Sequence, residues 1–288
     1  MEYLLLLLSS FTTSVGNILK KEYNKRSHGG AIFLGVMVAT VACLFFLAIN
    51  RDWSFKTEQL GYSFGFAASY CTSMVMGTLA IKTGPLAKTN LIISCSLLMP
   101  TFYGIIFLGD DIKATLIVGI VILVAALVMT NYKKSGSDTD DGRVSLHWLI
   151  FVLLSSIGNG MCASVQKAET LAFGDSGKNI FMAIALACVV AVLLILTLCV
   201  KSEREEIPHN FKCGWLIAVL CGVTNAVTNA LTMYLNGIIP ASVLFPVVSG
   251  VGMTLIYLYS IIFVKEKYTP IQHVGYALGV VSVVLLNL

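Results

Sequence analysis

Charge is what this sequence has least of. Only 12% of its 288 residues are charged, 57% are hydrophobic and the mean hydropathy is +0.86. A soluble domain averages about 25% charged and roughly 45–50% apolar residues, so a soluble chain is excluded and a polytopic membrane protein is implied. A net charge of +4 is too small to mark a nucleic-acid partner. The eight cysteines show no CxxC spacing and no Cys/His cluster, which excludes a zinc site and a disulfide framework and leaves them as small buried hydrophobes. GxSxG is absent, as is any acid–base pair at mid-span, so a membrane-embedded hydrolase or transferase has no residues to work with, and no cofactor is called for. The opening MEYLLLLLSSF lacks the basic start and small-residue cleavage site of a signal peptide, and reads as a retained first span.

What the chain does have is apolar length. A bilayer core about 30 Å thick takes roughly 20 apolar residues per helix. Ten segments meet this, near residues 2–19, 30–49, 60–81, 89–108, 113–132, 146–166, 178–200, 213–235, 242–264 and 271–288. The connections are short; the longest are KKEYNKRSHGG, KKSGSDTDDGRVS and KSEREEIPHNFK. The second, rich in Gly, Ser and Asp, reads as a linker at 133–145 between halves 1–132 and 146–288. The halves echo one another. LLSS at 7–10 recurs at 153–156 and Lys21 recurs as Lys167, both 146 residues on. IIF at 105–107 recurs at 261–263 and Val118-Gly119 as Val274-Gly275, both 156 residues on, with Asp110 opposite Glu266. Five spans per half is an odd number, so the second half must enter the membrane upside down. The expected fold is therefore all-α, ten transmembrane helices in two five-helix inverted repeats, with a solute site between them.

Polar side chains mark where that site should lie. VTNAVTNALTMYLNG at 223–237 carries Thr224, Thr228 and Thr232 four apart, Asn225 and Asn229 four apart, and Asn236 seven later, so all six are expected along one stripe of span eight. A lone Thr in a span bonds back to its own helix, and Asn can join helices. Two amides one turn apart need several partners at once, which a wet cavity supplies. Span three, the counterpart of span eight, carries Ser69, Tyr70, Thr72 and Ser73; span six offers Asn159 in a mobile-looking GNG at 158–160, and Gln166; span one offers Thr13 and Asn17. Spans four and nine add Ser94, Ser96, Ser249, Gly250 and Gly252, interrupted by Pro100 and Pro246. The expected solute-binding set is Asn225, Asn229, Thr228, Asn159, Tyr70, Ser73, Asn17, Lys82 and Ser249.

The closing stretch KEKYTPIQHVGYALGVVSVVLLNL, with Glu266, Gln272, Gly275 and Gly279, and the Pro240-Ala241-Ser242 ahead of span nine, resembles the drug/metabolite transporter superfamily, EamA-like branch. That resemblance implies ten helices, a central cavity lined by spans one, three, four, six, eight and nine, and both termini in the cytoplasm. It departs from the pattern in having only Val15-Gly16 where many relatives carry Trp-Gly, and no Gln before Gly119. Lys and Arg number fourteen in the loops after odd spans and five after even ones, which by the positive-inside rule puts both termini outside. The termini share a side; the two lines of reasoning disagree on which.

Lys20, Lys21, Lys82, Lys88 and Lys167 cluster where spans one, three and six end, the place from which lysines reach for headgroups. Lys82, ending polar span three before Gly84-Pro85, is the one expected to meet a solute carboxylate or phosphate. All fifteen acids fall in loops or near span ends, and Glu22 and Glu169 read as solvated interfacial carboxylates. Proton coupling usually needs an ionisable group at depth, so facilitated diffusion or exchange is expected over proton antiport. The function expected is a secondary transporter for a small polar or zwitterionic, amino-acid-like metabolite in the cell membrane, inner or plasma. Its partners are then a small-molecule solute and the lipid bilayer, no nucleic acid, as a monomer or homodimer. The alternatives are a drug or nucleotide-sugar carrier, and a non-transport binding protein pairing helices through Gly275-x-x-x-Gly279.

Overall fold

The computed structural model describes residues 2–27, 30–103, 106, 114–131, 145–239, 241–266 and 268–285; the side chains of some residues within its helices, Ser249 among them, lie outside the description. The described residues are helical throughout, without a strand. They form α1 (Glu2–Arg26), α2 (Ala31–Ile49), α3 (Gln59–Thr83), α4 (Leu86–Ser94), α5 (Leu98–Tyr103), α6 (Ala114–Asn131), α7 (Leu146–Phe173), α8 (Lys178–Cys199), α9 (Lys201–Asn236), α10 (Ala241–Tyr259) and α11 (Pro270–Leu285). Of these, α2, α3, α7, α8 and α9 are each long and apolar enough to cross a bilayer. The proposed linker, apart from Ser145, and Asp110 lie outside the described residues.

Local chemistry sets the ends of these helices. The Ser145 hydroxyl accepts from the Trp148 N–H at 3.2 Å and starts α7. Pro85 stops α3, because the residue before a proline is driven out of the helical region. Two segments expected as loops are instead helical. KKEYNKR extends α1 to Arg26, and KSEREEIPHNFK forms the first turns of α9. The second has a specific reason: Glu203 accepts from the N–H groups of Gly30 (3.1 Å) and Phe33 (3.3 Å), so its carboxylate meets the unpaired amides at the start of α2.

The central layer packs α2 against α8 and α9, α3 against α7 and α8, and α1 against α9 and α10, while α6 pairs with α11 at the periphery. Exchanging α1, α2, α3, α4–α5 and α6 for α7, α8, α9, α10 and α11 maps this pattern onto itself: α1 on α9 answers α7 on α3, and α2 on α9 answers α8 on α3. The largest apolar cluster joins Leu34, Val38, Phe46, Phe66, Phe181 and Leu186 from the α2–α3–α8 interface. Many apolar side chains elsewhere point outward, among them Leu7 and Phe11 on α1 and Leu194 and Ile195 on α8. A soluble chain would hide such residues; here they face lipid.

Candidate functional site: a polar cavity between the halves

α4 does not run straight into α5. Pro100 has no N–H to give the carbonyl of Ser96 four residues earlier, and the chain tightens into a 3-10 turn at Cys95–Leu97. That freed carbonyl turns towards α7, where only glycine leaves room: a Cβ on Gly160 would lie 2.6 Å from it. Gly158 makes the matching approach to α3, where a Cβ would sit 2.7 Å from the backbone of both Ser69 and Ser73. The glycines of the GNG at 158–160 thus seat α7 closely between α3 and the turn. Between its glycines, Asn159 donates to the Ser96 hydroxyl at 2.8 Å.

These contacts frame a cavity of about 240 Å³ walled by α1, α3, α4, α7, α9 and α10. Thr224, Asn225, Thr228, Asn229 and Thr232 all face it. The Asn225 side-chain oxygen accepts from Tyr70 Oη at 3.0 Å and from Asn229 Nδ2 at 3.0 Å, a three-residue network across α3 and α9. Thr228 shares a 2.8 Å hydroxyl bond with Thr12, and Gly16 lies across from Thr224 one turn along, so α1 runs antiparallel to α9 beside the cavity. Asn17 donates to Asn90 on α4 at 2.7 Å. Cys221 and Lys20 line one end; Gln166 and Ala163 line the other.

Apolar clusters flank the cavity. Ile81 and Ile256 of its wall pack with Leu86 and Tyr259 near Lys20. Ala163 and Val248 of its wall pack with Leu6, Leu235, Ile239 and Leu244 near Gln166.

Of the nine expected site residues, the structure brings Asn225, Asn229, Thr228, Asn159, Tyr70, Ser73 and Asn17 into this wall. Lys82 is exposed and outside the wall, so the cation at the cavity is Lys20 instead. Ser249 belongs to α10, with its side chain outside the described residues. Asn236 is buried and lies outside the cavity wall. Ser69 and Thr72 bond back to their own helix, at Gly65 and Ala68. Thr12 and Asn90 join the wall although nothing in their local sequence singles them out.

Two of the lysines expected to reach for headgroups bind helix ends instead. Lys21 Nζ reaches the carbonyls of Ile81 (3.5 Å) and Gly84 (3.4 Å) at the end of α3. Its repeat counterpart Lys167 reaches the carbonyl of Asn236 (2.8 Å) at the end of α9. Each lysine thereby meets the negative end of a helix whose last carbonyls have no partner of their own. Lys88 is buried as well. Glu22 is part-exposed and pairs with Lys25 at 2.6 Å. Glu169 is not the solvated carboxylate expected: it is fully buried, accepting from Gln59 Nε2 at 2.9 Å, and lies outside the cavity wall. The α2–α3 loop is tied to the start of α8 by Asp52, whose carboxyl is held below the usual carboxylate range by the hydroxyl and N–H of Ser54 and by the N–H of Gly177.

The cavity is built from both halves of an apolar helical chain and mixes polar with apolar side chains in its wall. The model of the EamA-like transporter family matches residues 1–132. The resemblance drawn from Glu266, Gln272, Gly275 and Gly279 at the other end of the sequence agrees with that match, and the family's members are membrane transporters of small solutes rather than enzymes. Among solved structures, a protein crystal structure superposes with a TM-score of 0.64 at 12% identity, covering 99% of this chain and 95% of that one. At that identity the likeness concerns the fold. No curated protein matches the chain.

Proposed function

We propose that this EamA-like protein moves a small polar metabolite across the cell membrane by alternating access. Ten spans in two inverted five-helix repeats, 1–132 and 146–288, rock about the cavity between them. The observation that carries this reading is the cavity itself: three helices of each half contribute to its wall, and apolar clusters flank both ends. The exchange of packing partners between halves supports the repeat, as does the pair of lysines that hold the ends of α3 and α9. Opposed repeats with a site at their interface are the architecture in which one half rocks against the other.

Facilitated diffusion or exchange is favoured over proton antiport, since every acid in the sequence lies in a loop or near a span end, and the buried Glu169 stands apart from the wall. The non-transport alternative depended on Gly275 and Gly279 being available to a partner. Both are buried within α11, which packs on α6 and α10 of the same chain.

The test is a thermal-shift panel on the detergent-purified protein with amino acids, hydroxy acids, nucleosides, sugars and cationic drugs, run beside Asn225→Ala. A ligand that binds only the folded state stabilises it by about 2.7 kcal/mol at a hundredfold its dissociation constant. One solute class should raise the melting temperature of the wild type and not of the variant. That class should then exchange in proteoliposomes. A shift that survives the substitution would remove Asn225 from the site, and a flat response from well-folded protein would remove the transport reading.

A further inference from the structure

Lys20 and Lys21 are sequence neighbours with different surroundings. Successive helical residues point about 100° apart, so while Lys21 turns to the end of α3, Lys20 turns into the cavity wall. No hydrogen bond or ion pair to Lys20 Nζ is formed among the described residues. Every other described residue of the wall is uncharged. With its amine protonated, Lys20 gives the cavity one positive charge and nothing opposite to it, and an ammonium taken out of bulk water without a partner is costly.

The repeat sharpens the point. A shift of 146 residues carries Lys21 onto Lys167, which keeps the same carbonyl-binding task, and Lys20 onto Gln166. Gln166 also lines the cavity, at its opposite end. It is 3% exposed, and its Nε2 donor has no protein partner. The two equivalent positions thus present the cavity with an ammonium at one pole and an unsatisfied neutral amide donor at the other.

We infer that the cavity selects solutes of one net negative charge, seating a carboxylate on Lys20 and an uncharged acceptor on Gln166. This rests on the cavity being the solute site and names the class of solute it takes. A monoanion neutralises the cavity. A zwitterion leaves the net charge at +1, and its ammonium meets only amide and hydroxyl oxygens, of which those of Asn225 and Asn90 already accept from neighbours. A phosphate monoester carries about −1.5 to −2 at neutral pH and would exceed what one lysine balances. The volume, below the roughly 300–1,000 Å³ of drug-sized sites, fits a compact solute.

The experiment uses matched quartets on three-, four- and six-carbon skeletons: the 2-hydroxy acid (monoanion), the 2-hydroxy amide (neutral), the 2-amino acid (zwitterion) and the 2-amino amide (cation). Glycerol phosphate serves as a phosphate arm. Binding to the full-length protein is measured by thermal shift and by intrinsic fluorescence, in wild type, Lys20→Met, Lys20→Arg and Asn225→Ala. The hydroxy acid should bind tighter than its amide and its amino analogue by about tenfold or more, the factor expected of a hydrogen bond to a charged group. Lys20→Met should erase that preference, and Lys20→Arg should keep it. Zwitterion or neutral binding as tight as the monoanion, with Lys20→Met unaffected and Asn225→Ala still defective, would overturn the charge assignment and leave the solute cavity standing. Tightest binding in the phosphate arm would overturn the carboxylate. No binding by any member to any folded variant would overturn both this inference and the cavity reading beneath it. If Lys20→Met does not fold, the order of the quartets in Lys20→Arg and wild type decides between the same outcomes.

Discussion

The network joining Tyr70, Asn225 and Asn229 makes a quantitative test of how the two halves are coupled across the cavity. One oxygen, Asn225 Oδ1, serves two donors, Tyr70 Oη from α3 and Asn229 Nδ2 from its own helix. Tyr70→Phe deletes one donor and leaves the acceptor engaged. Asn225→Ala deletes the acceptor, strands the Tyr70 hydroxyl in a largely buried position against Phe66, and leaves Asn229 with only the Asn225 backbone oxygen at 3.0 Å. A neutral hydrogen bond contributes about 0.5–1.5 kcal/mol net. Bonds between membrane helices average about 0.6 kcal/mol in double-mutant cycles, with a ceiling near 1.7. Each single variant should therefore lose about 0.5–1.5 kcal/mol of stability, with Asn225→Ala the worse of the two because it strands a buried hydroxyl. The double variant should fall short of the sum by about 0.6 kcal/mol, roughly a threefold factor in an equilibrium constant. Equilibrium unfolding of the four proteins in mixed micelles measures all of these. Additivity within about 0.3 kcal/mol would show that Tyr70 and Asn225 do not share a bond in the folded protein, and would refute the network.

Two further expectations follow from contacts outside the network. Lys167→Met should destabilise by about 1.5–3 kcal/mol, the range for a hydrogen bond to a charged group, and Lys21→Met by less, because its carbonyls lie at 3.4 and 3.5 Å against 2.8 Å for Lys167; equal losses in the two melting temperatures would contradict that ranking. Gly158→Ala should cost about 1–3 kcal/mol, as overpacking does, since its Cβ meets backbone of α3 at 2.7 Å and backbone cannot rotate aside. An unchanged melting temperature in that variant would show that α7 and α3 are not seated as described.

Much of the site was legible because membrane sequence makes polar residues conspicuous. Against apolar spans, Asn225, Asn229, Asn159 and Asn17 each pose the question of what satisfies an amide away from water, and a helical period alone gathers Thr224, Thr228 and Thr232 beside them. Asn90 lacked that visibility. It sits next to Lys88 near a span end, where a polar side chain needs no explanation, and only its bond to Asn17 distinguishes it. Asn236 shows the opposite failure. Its spacing places it on the stripe, but the stripe continues past the end of the cavity and Asn236 goes with it into buried packing. For charged residues, local sequence was a poor guide. Lys20, Lys21, Lys82, Lys88 and Lys167 look alike at the ends of spans, and their surroundings divide them into a cavity cation, two helix-end partners, a buried lysine and an exposed one.

The sequence by itself determined that this chain lives in a bilayer, that it is helical, and that polar chemistry is concentrated on a few helix faces. Those are consequences of hydropathy and of a 3.6-residue period, and both can be read without knowing what packs against what. It also determined the likeness between the two halves, since matching residues at constant shift are a property of the string. The tertiary structure decided which of several equivalent lysines reaches the cavity, and that Gly158 and Gly160 let α7 pack closely on its neighbours. It decided, too, that the carbonyl released by Pro100 turns towards Gly160. Each of these depends on the direction of a side chain or a carbonyl relative to a neighbouring helix, and that direction is set by contacts between residues far apart in the chain.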